Sequence, residues 1–231
     1  MRVPKTGLTA AAAATLVINP TTALRMLTDY VTLNTGDVVV QNAGNSAVGQ
    51  YVAQIARARG LICVSVIRDR ADFDATAAKL KELGATHVVR PTDLPALVAA
   101  HPEWKVRLGL NAVGPAPELV AALGKGAALV LYGAMAPEPL ALAPFDVIIK
   151  KLTVHGFWIL EWKASNDDAA YRGMIDELVG MYASGALATP DYAEVVVRGD
   201  DSTKDGEASV VDGILAADRG FFGRKQLLVF H

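Results

Sequence analysis

A single cysteine in 231 residues excludes an internal disulfide. That residue, Cys63, stands in the string Leu61-Ile62-Cys63-Val64-Ser65-Val66, which reads as a buried strand in a protein kept reduced. Histidine is nearly as sparse. His87, His101, His155 and His231 are scattered along the chain without the close spacing of zinc ligands, so no metal site is expected. An excess of either charge is also missing: 22 Lys and Arg stand against 24 Asp and Glu, for a formal net charge of -2. Nucleic acid is therefore not an expected partner, and any bound anion must be met by a few local groups. No apolar run approaches the roughly 20 residues that span a bilayer, so no membrane span is expected. The run over 8–18 follows Arg2 and Lys5 as in a targeting leader. It leads straight into Asn19-Pro20-Thr21-Thr22-Ala23-Leu24, however, a helix start with proline in its first turn, and it reads as part of the fold.

What the chain has is apolar mass, 52% hydrophobic against 20% charged, enough for one sizeable core. Short β-branched runs alternate with longer helix-like stretches, the pattern of a parallel sheet with helices on both faces. Strands are expected over 37–41, 61–67, 87–89, 107–113, 127–132 and 152–158. Helices are expected over 47–59, 72–83 (closed by Gly84), 117–123 and 169–184, and the stretch holding Pro91, Pro95 and Pro102 reads as broken. Five or six parallel strands with crossover helices make an α/β, doubly wound fold. Residues 199–207 form a polar run with the composition of an exposed loop, followed by a helix over 210–217 and a last strand over 225–230.

The first strand ends in Gln41-Asn42-Ala43-Gly44-Asn45-Ser46-Ala47-Val48-Gly49, small residues opening a helix. Backbone N–H groups at such a helix start can receive a pyrophosphate, although the usual Gly-x-Gly-x-x-Gly spacing is absent. A tight strand-to-helix turn without a ligand is the alternative reading. The second strand runs into Arg68-Asp69-Arg70, where two guanidiniums can grip the 2′-phosphate that separates NADP from NAD. Against this stands a solvated loop in which Asp69 and Asp72 neutralise the arginines.

The strings Asn19-Pro20-Thr21-Thr22-Ala23, Gln41-Asn42-Ala43-Gly44-Asn45-Ser46, Arg68-Asp69-Arg70, Tyr132-Gly133-Ala134-Met135, Gly156-Phe157-Trp158, Trp162-Lys163 and Lys225-Gln226 together resemble the mitochondrial trans-2-enoyl thioester reductases of the medium-chain dehydrogenase/reductase superfamily. The resemblance runs through most of the chain in order. It implies a Rossmann-type domain over 1–190 and a segment over 191–231 that returns toward a GroES-like catalytic domain. It also implies NADPH as cofactor, an enoyl thioester on acyl carrier protein or coenzyme A as substrate, mitochondrial localisation and a homodimer. Cofactor contacts carried over by the resemblance are Asn19, Asn45, Ser46, Ala47, Val48, Arg68, Asp69, Arg70, Tyr132, Gly133, Ala134, Met135, Phe157, Trp158, Ile159 and Lys225. Ala47 and Ala134 stand where the family commonly has glycine, each adding a methyl near the cofactor. Family members carry an N-terminal domain with a tyrosine implicated as proton donor, which these residues do not match, so no catalytic residue is assigned and the chain alone is expected to be inactive. None of the six tyrosines has lysine four residues later, as a short-chain reductase would require. A noncatalytic NADPH-binding module and a quinone or alkenal reductase of the same superfamily are the competing readings.

Overall fold

Val38, Val39 and Val40 are all fully buried, and their side chains divide between the two faces of one sheet. Val39 packs with Leu24, Tyr51 and Ile55 on one side, whereas Val38 and Val40 pack with Leu94, Leu119 and Leu123 on the other. In this computed structural model, which describes residues 8–197 and 225–230, those valines form the central strand β1 (Val38–Gln41). Around it stand β2 (Ile62–Val66), β3 (His87–Val89), β4 (Val106–Asn111), β5 (Ala128–Leu131) and β6 (Thr153–Gly156). The order across the sheet is β3-β2-β1-β4-β5-β6 and every neighbouring pair is parallel. The order reverses between β1 and β4, so their carboxyl ends diverge into the crevice where such sheets bind ligands.

One face is covered by α1 (Ala10–Thr15), α2 (Asn19–Met26), α3 (Ala47–Ala58) and α4 (Phe73–Leu83). The other carries α5 (Leu94–Ala99) and α6 (Pro117–Ala122). α7 (Pro144–Lys150) and α8 (Ile159–Ala164) flank β6, and α9 (Asp168–Ala183) returns to the α2 and α3 side. Each fully buried Val, Leu or Ile contributes about 1.5–3 kcal/mol. The two clusters therefore hold α3 and β2 against β1 firmly enough to fix the turns at their ends. A second sheet pairs β7 (Tyr192–Val197) in parallel with β8 (Lys225–Phe230), Tyr192 opposite Lys225.

The six strands expected for the main sheet, the last strand over 225–230 and the helices expected over 47–59, 72–83, 117–123 and 169–184 are present, with ends shifted by a few residues. The proline-containing stretch is not simply broken. A 3₁₀ turn over Pro91–Asp93 leads into α5, and Pro95 sits in its first turn, where a missing N–H costs nothing. α1, α7, α8 and β7 were not anticipated. The polar run over 199–207 and the helix over 210–217 lie outside the described residues. His87 and His101 are not apart in space: their rings lie 5.7 Å from each other, and His101 stacks on Trp104 at 4.1 Å. Among the described residues no helix is long and apolar enough to cross a membrane.

Candidate nucleotide site at the carboxyl edge

The turn after β1 is bolted to its neighbours by buried amides. Gln41 Nε2 donates to the Gly49 carbonyl and to Ser65 Oγ, both at 2.9 Å, which ties the turn to α3 and β2. Asn42 Nδ2 donates to Asn111 Oδ1 at 2.8 Å, and Asn42 Oδ1 accepts from the Ala112 N–H at 2.8 Å. Asn111 Oδ1 also accepts from the Val113 and Gly114 N–H groups. Asn42 and Asn111 thus lock the two diverging strand ends across the switch point. The sequence reading missed both. Their signal is an amide closing an otherwise apolar strand, but the pairing spans 69 residues of chain.

Within the turn Ala43 takes a left-handed φ of 48°. A Cβ on Gly44 would lie 2.6 Å from the Ser65 Cβ, and one on Gly49 would lie 2.6 Å from the Gly44 carbonyl oxygen. Both glycines are required by the turn itself. Ser46 caps α3, its Oγ accepting from the Gly49 N–H at 3.1 Å, and the Asn45 carbonyl accepts from Gln50 Nε2. Ala47 and Val48 begin the helix and are half-buried. α3 thereby points a full-length, 12-residue helix start at the crevice.

Beyond β2, residues Asn45, Ile67, Arg68, Arg70, Asp72, Phe73 and Thr76 line an open, shallow cleft. The turn after β1 and the arginines after β2 therefore share one depression. Asp69 is engaged by Arg90, Nε to Oδ1 at 2.9 Å.

Across the switch point, Tyr132 leaves β5 with its N–H donating to the Asn111 carbonyl at 3.0 Å. Its hydroxyl is buried beside Ser46 and makes no hydrogen bond of ordinary geometry. Burial pushes its pKa above the usual phenol range, with the Ser46 side chain opposing. Gly133 is dictated by packing, since a Cβ there would lie 2.7 Å from the Ala112 carbonyl oxygen. Ala134 and Met135 are exposed beyond it. Phe157 is core, its N–H donating to the Leu131 carbonyl, and its ring meets Tyr30 edge-on at 6.1 Å. Trp158, at the N-cap of α8, is 64% exposed, whereas Ile159 is buried. Asn19 opens α2, which packs on α3. Lys225 opens β8 in the second sheet, outside the six-strand edge.

The structure thus gathers residues 45–48, 68–70, 132–135 and 157–159 at the carboxyl ends of four parallel strands. Residues 47–179 match the family model described as zinc-binding dehydrogenase. This chain belongs to that family. Within it, the chain is a homologue of the mitochondrial enoyl-[acyl-carrier-protein] reductases. The human enzyme is 39% identical over 196 residues, which are 80% of this chain and 51% of the relative. The Arabidopsis thaliana enzyme is 41% identical over 182 residues, 76% of this chain and 48% of the relative. The chain spans about half the length of the curated relatives it matches. Among solved structures, the Etr1p/NADP/crotonyl-CoA complex superposes with a TM-score of 0.86 at 31% identity, over 96% of this chain and 62% of that one.

Zinc, in the family description, finds no fit here: among the described residues no three His, Cys, Asp or Glu side chains cluster to hold a metal ion. The Cys63 thiol is shut in the core, burial pushing its pKa up to about 12. The Etr1p structure is a complex with NADP. A capped helix start and a cleft lined by two arginines are compatible with a phosphorylated dinucleotide.

Proposed function

We propose that this chain is the NADPH-binding portion of a reductase acting on trans-2-enoyl thioesters, carried on acyl carrier protein or coenzyme A, in mitochondrial fatty acid synthesis. The observation that carries the reading is the cleft that sets Arg68 and Arg70 beside Asn45 of the turn. In this reading residues 45–48 receive the pyrophosphate and Arg68, Asp69 and Arg70 surround the 2′-phosphate. Tyr132, Gly133, Ala134 and Met135 border the crevice opposite the turn. Phe157, Trp158 and Ile159 stand toward the nicotinamide, with Asn19 and Lys225 completing the set. NADPH, when bound, supplies the hydride that reduction of a conjugated double bond needs.

The accompanying proton is assigned to none of Tyr30, Tyr51, Tyr132, Tyr171 and Tyr182. Tyr51 and Tyr182 are buried against each other, hydroxyl to hydroxyl at 2.6 Å, and the hydroxyl of half-buried Tyr132 is enclosed beside Ser46. Tyr30 donates weakly to the Gly156 carbonyl at 3.4 Å, and Tyr171 lies under Lys163. On the resemblance, the donor and the acyl pocket are assigned to the half of the relatives that this chain does not span, with 191–231 as a segment that returns toward it. The reading also includes a homodimer. β6 is the sheet's edge strand, with Val154 exposed, and Phe145, Ile148 and Ile149 of the adjoining α7 are more exposed still.

The test is NADPH oxidation with crotonyl and longer enoyl thioesters, run on this chain and on a fusion carrying the half of a relative that it does not span. General acid catalysis is worth about 10²–10⁴-fold, and losing the pocket removes positioning as well. The fusion is expected to turn over and the bare chain is not. Comparable rates would place the donor inside these residues.

A further inference from the structure

Asp69 is badly placed for a site meant to hold a dianion. At the end of the second strand of a doubly wound sheet an acid accepts the ribose hydroxyls of NAD, and it repels a 2′-phosphate. Asp69 sits there, between Arg68 and Arg70. What restrains it comes from the neighbouring strand. The Ile67 N–H donates to the Val89 carbonyl at 3.0 Å, so the chain leaving β3 runs beside the chain leaving β2. The next residue, Arg90, is thereby delivered to the acid, with its Nε 2.9 Å from Asp69 Oδ1. The guanidinium lies over the Phe73 ring at 3.9 Å, and Phe73 is a wall of the same cleft that Arg68 and Arg70 line. Asp93 Oδ2, 3.9 Å from Nη1, attends the far side. As an exposed pair, Arg90 and Asp69 contribute little to stability. Their consequence is electrostatic, at the mouth of the cleft.

We propose that Arg90 is a positioning residue for cofactor selection: by holding and neutralising the Asp69 carboxylate, it stops that acid from serving as an NAD-type ribose acceptor and leaves the 2′-phosphate to Arg68 and Arg70. The inference rests on the NADPH reading and adds to it a residue that lies outside every string carrying the family resemblance.

The experiment is calorimetric titration of NADPH and NADH into the 231-residue chain and its Arg90→Met, Asp69→Asn and doubly substituted forms. Methionine keeps an apolar stem over Phe73 and removes the charge. Arg90→Met is expected to weaken NADPH about tenfold, the scale of one uncompensated charge near a dianion, with NADH held or tightened as Asp69 is released to the ribose hydroxyls. Adding Asp69→Asn is expected to restore NADPH to within about threefold of the unsubstituted chain. A merely structural role would lower both cofactors together. Failure of Asp69→Asn to rescue, or parallel loss of NADH, overturns the inference, as does an Arg90→Met chain that binds both cofactors normally. The NADPH reading is judged separately on the unsubstituted chain: equal affinities there defeat both, whereas NADPH preference with unaltered variants defeats only the role of Arg90.

Discussion

A methyl group at Gly44 would press on Ser65, a buried residue of β2 that already accepts a hydrogen bond from Gln41. Gly44→Ala is therefore expected to cost about 1–3 kcal/mol in urea denaturation and to weaken NADPH with it, because the turn must shift to admit the methyl. Arg68→Ala should act on the cofactor alone. Losing one charge-assisted contact lowers NADPH affinity roughly tenfold to a hundredfold, while NADH is unchanged; equal losses for both would remove Arg68 from the 2′-phosphate. Cys63 makes a prediction in pH. Its folded pKa is pushed up to about 12 by burial, above the ordinary thiol value near 8.5, so the neutral thiol's contribution is complete below about pH 8.5 and is lost as pH rises toward 12. Denaturation midpoints of the chain should fall over that window, and less steeply for Cys63→Ala. At this scale the arginines were readable because they adjoin in sequence directly after an apolar strand. Asn42, Asn111 and Arg90 were not, since each acts on a partner that only the sheet order brings close.

α3 and α9 meet through the Tyr51 and Tyr182 hydroxyls, 2.6 Å apart. Tyr182→Phe removes the nearest partner of the Tyr51 hydroxyl, with Thr15 and Thr189 still beside it, and is expected to cost about 0.5–1.5 kcal/mol, seen as a lower urea midpoint. At the other edge, β6 and α7 present Val154, Phe145, Ile148 and Ile149. The chain is expected to sediment as a dimer at micromolar concentration, and Val154→Asp should shift it to monomer; a monodisperse monomer before substitution contradicts the interface. The elements that the sequence reading found and those it missed divide along the same line. β1, β2 and α3 were legible because burial on both faces, or one deep apolar stripe, writes itself as periodicity. α7 has no buried residue, so its apolar positions answer to nothing within the described chain, and no pattern marked it. α5 was hidden by prolines that act as helix starters rather than breaks.

Across the whole molecule, one arrangement accounts for the site: parallel strands in the order β3-β2-β1-β4-β5-β6 bring their carboxyl ends to a common edge. Segments as far apart as 45–48 and 157–159 reach that common edge by that order alone. The doubly wound class followed from alternating strands and helices, and the site strings followed from resemblance. The central claim is narrower, that this edge binds NADPH and selects it by its 2′-phosphate. Titration of the unsubstituted 231-residue chain with NADPH and with NADH tests it most directly. The account predicts NADPH tighter by at least about tenfold, with the difference shrinking at high salt as the phosphate contacts are screened. Equal affinities, or no binding of either, would contradict it.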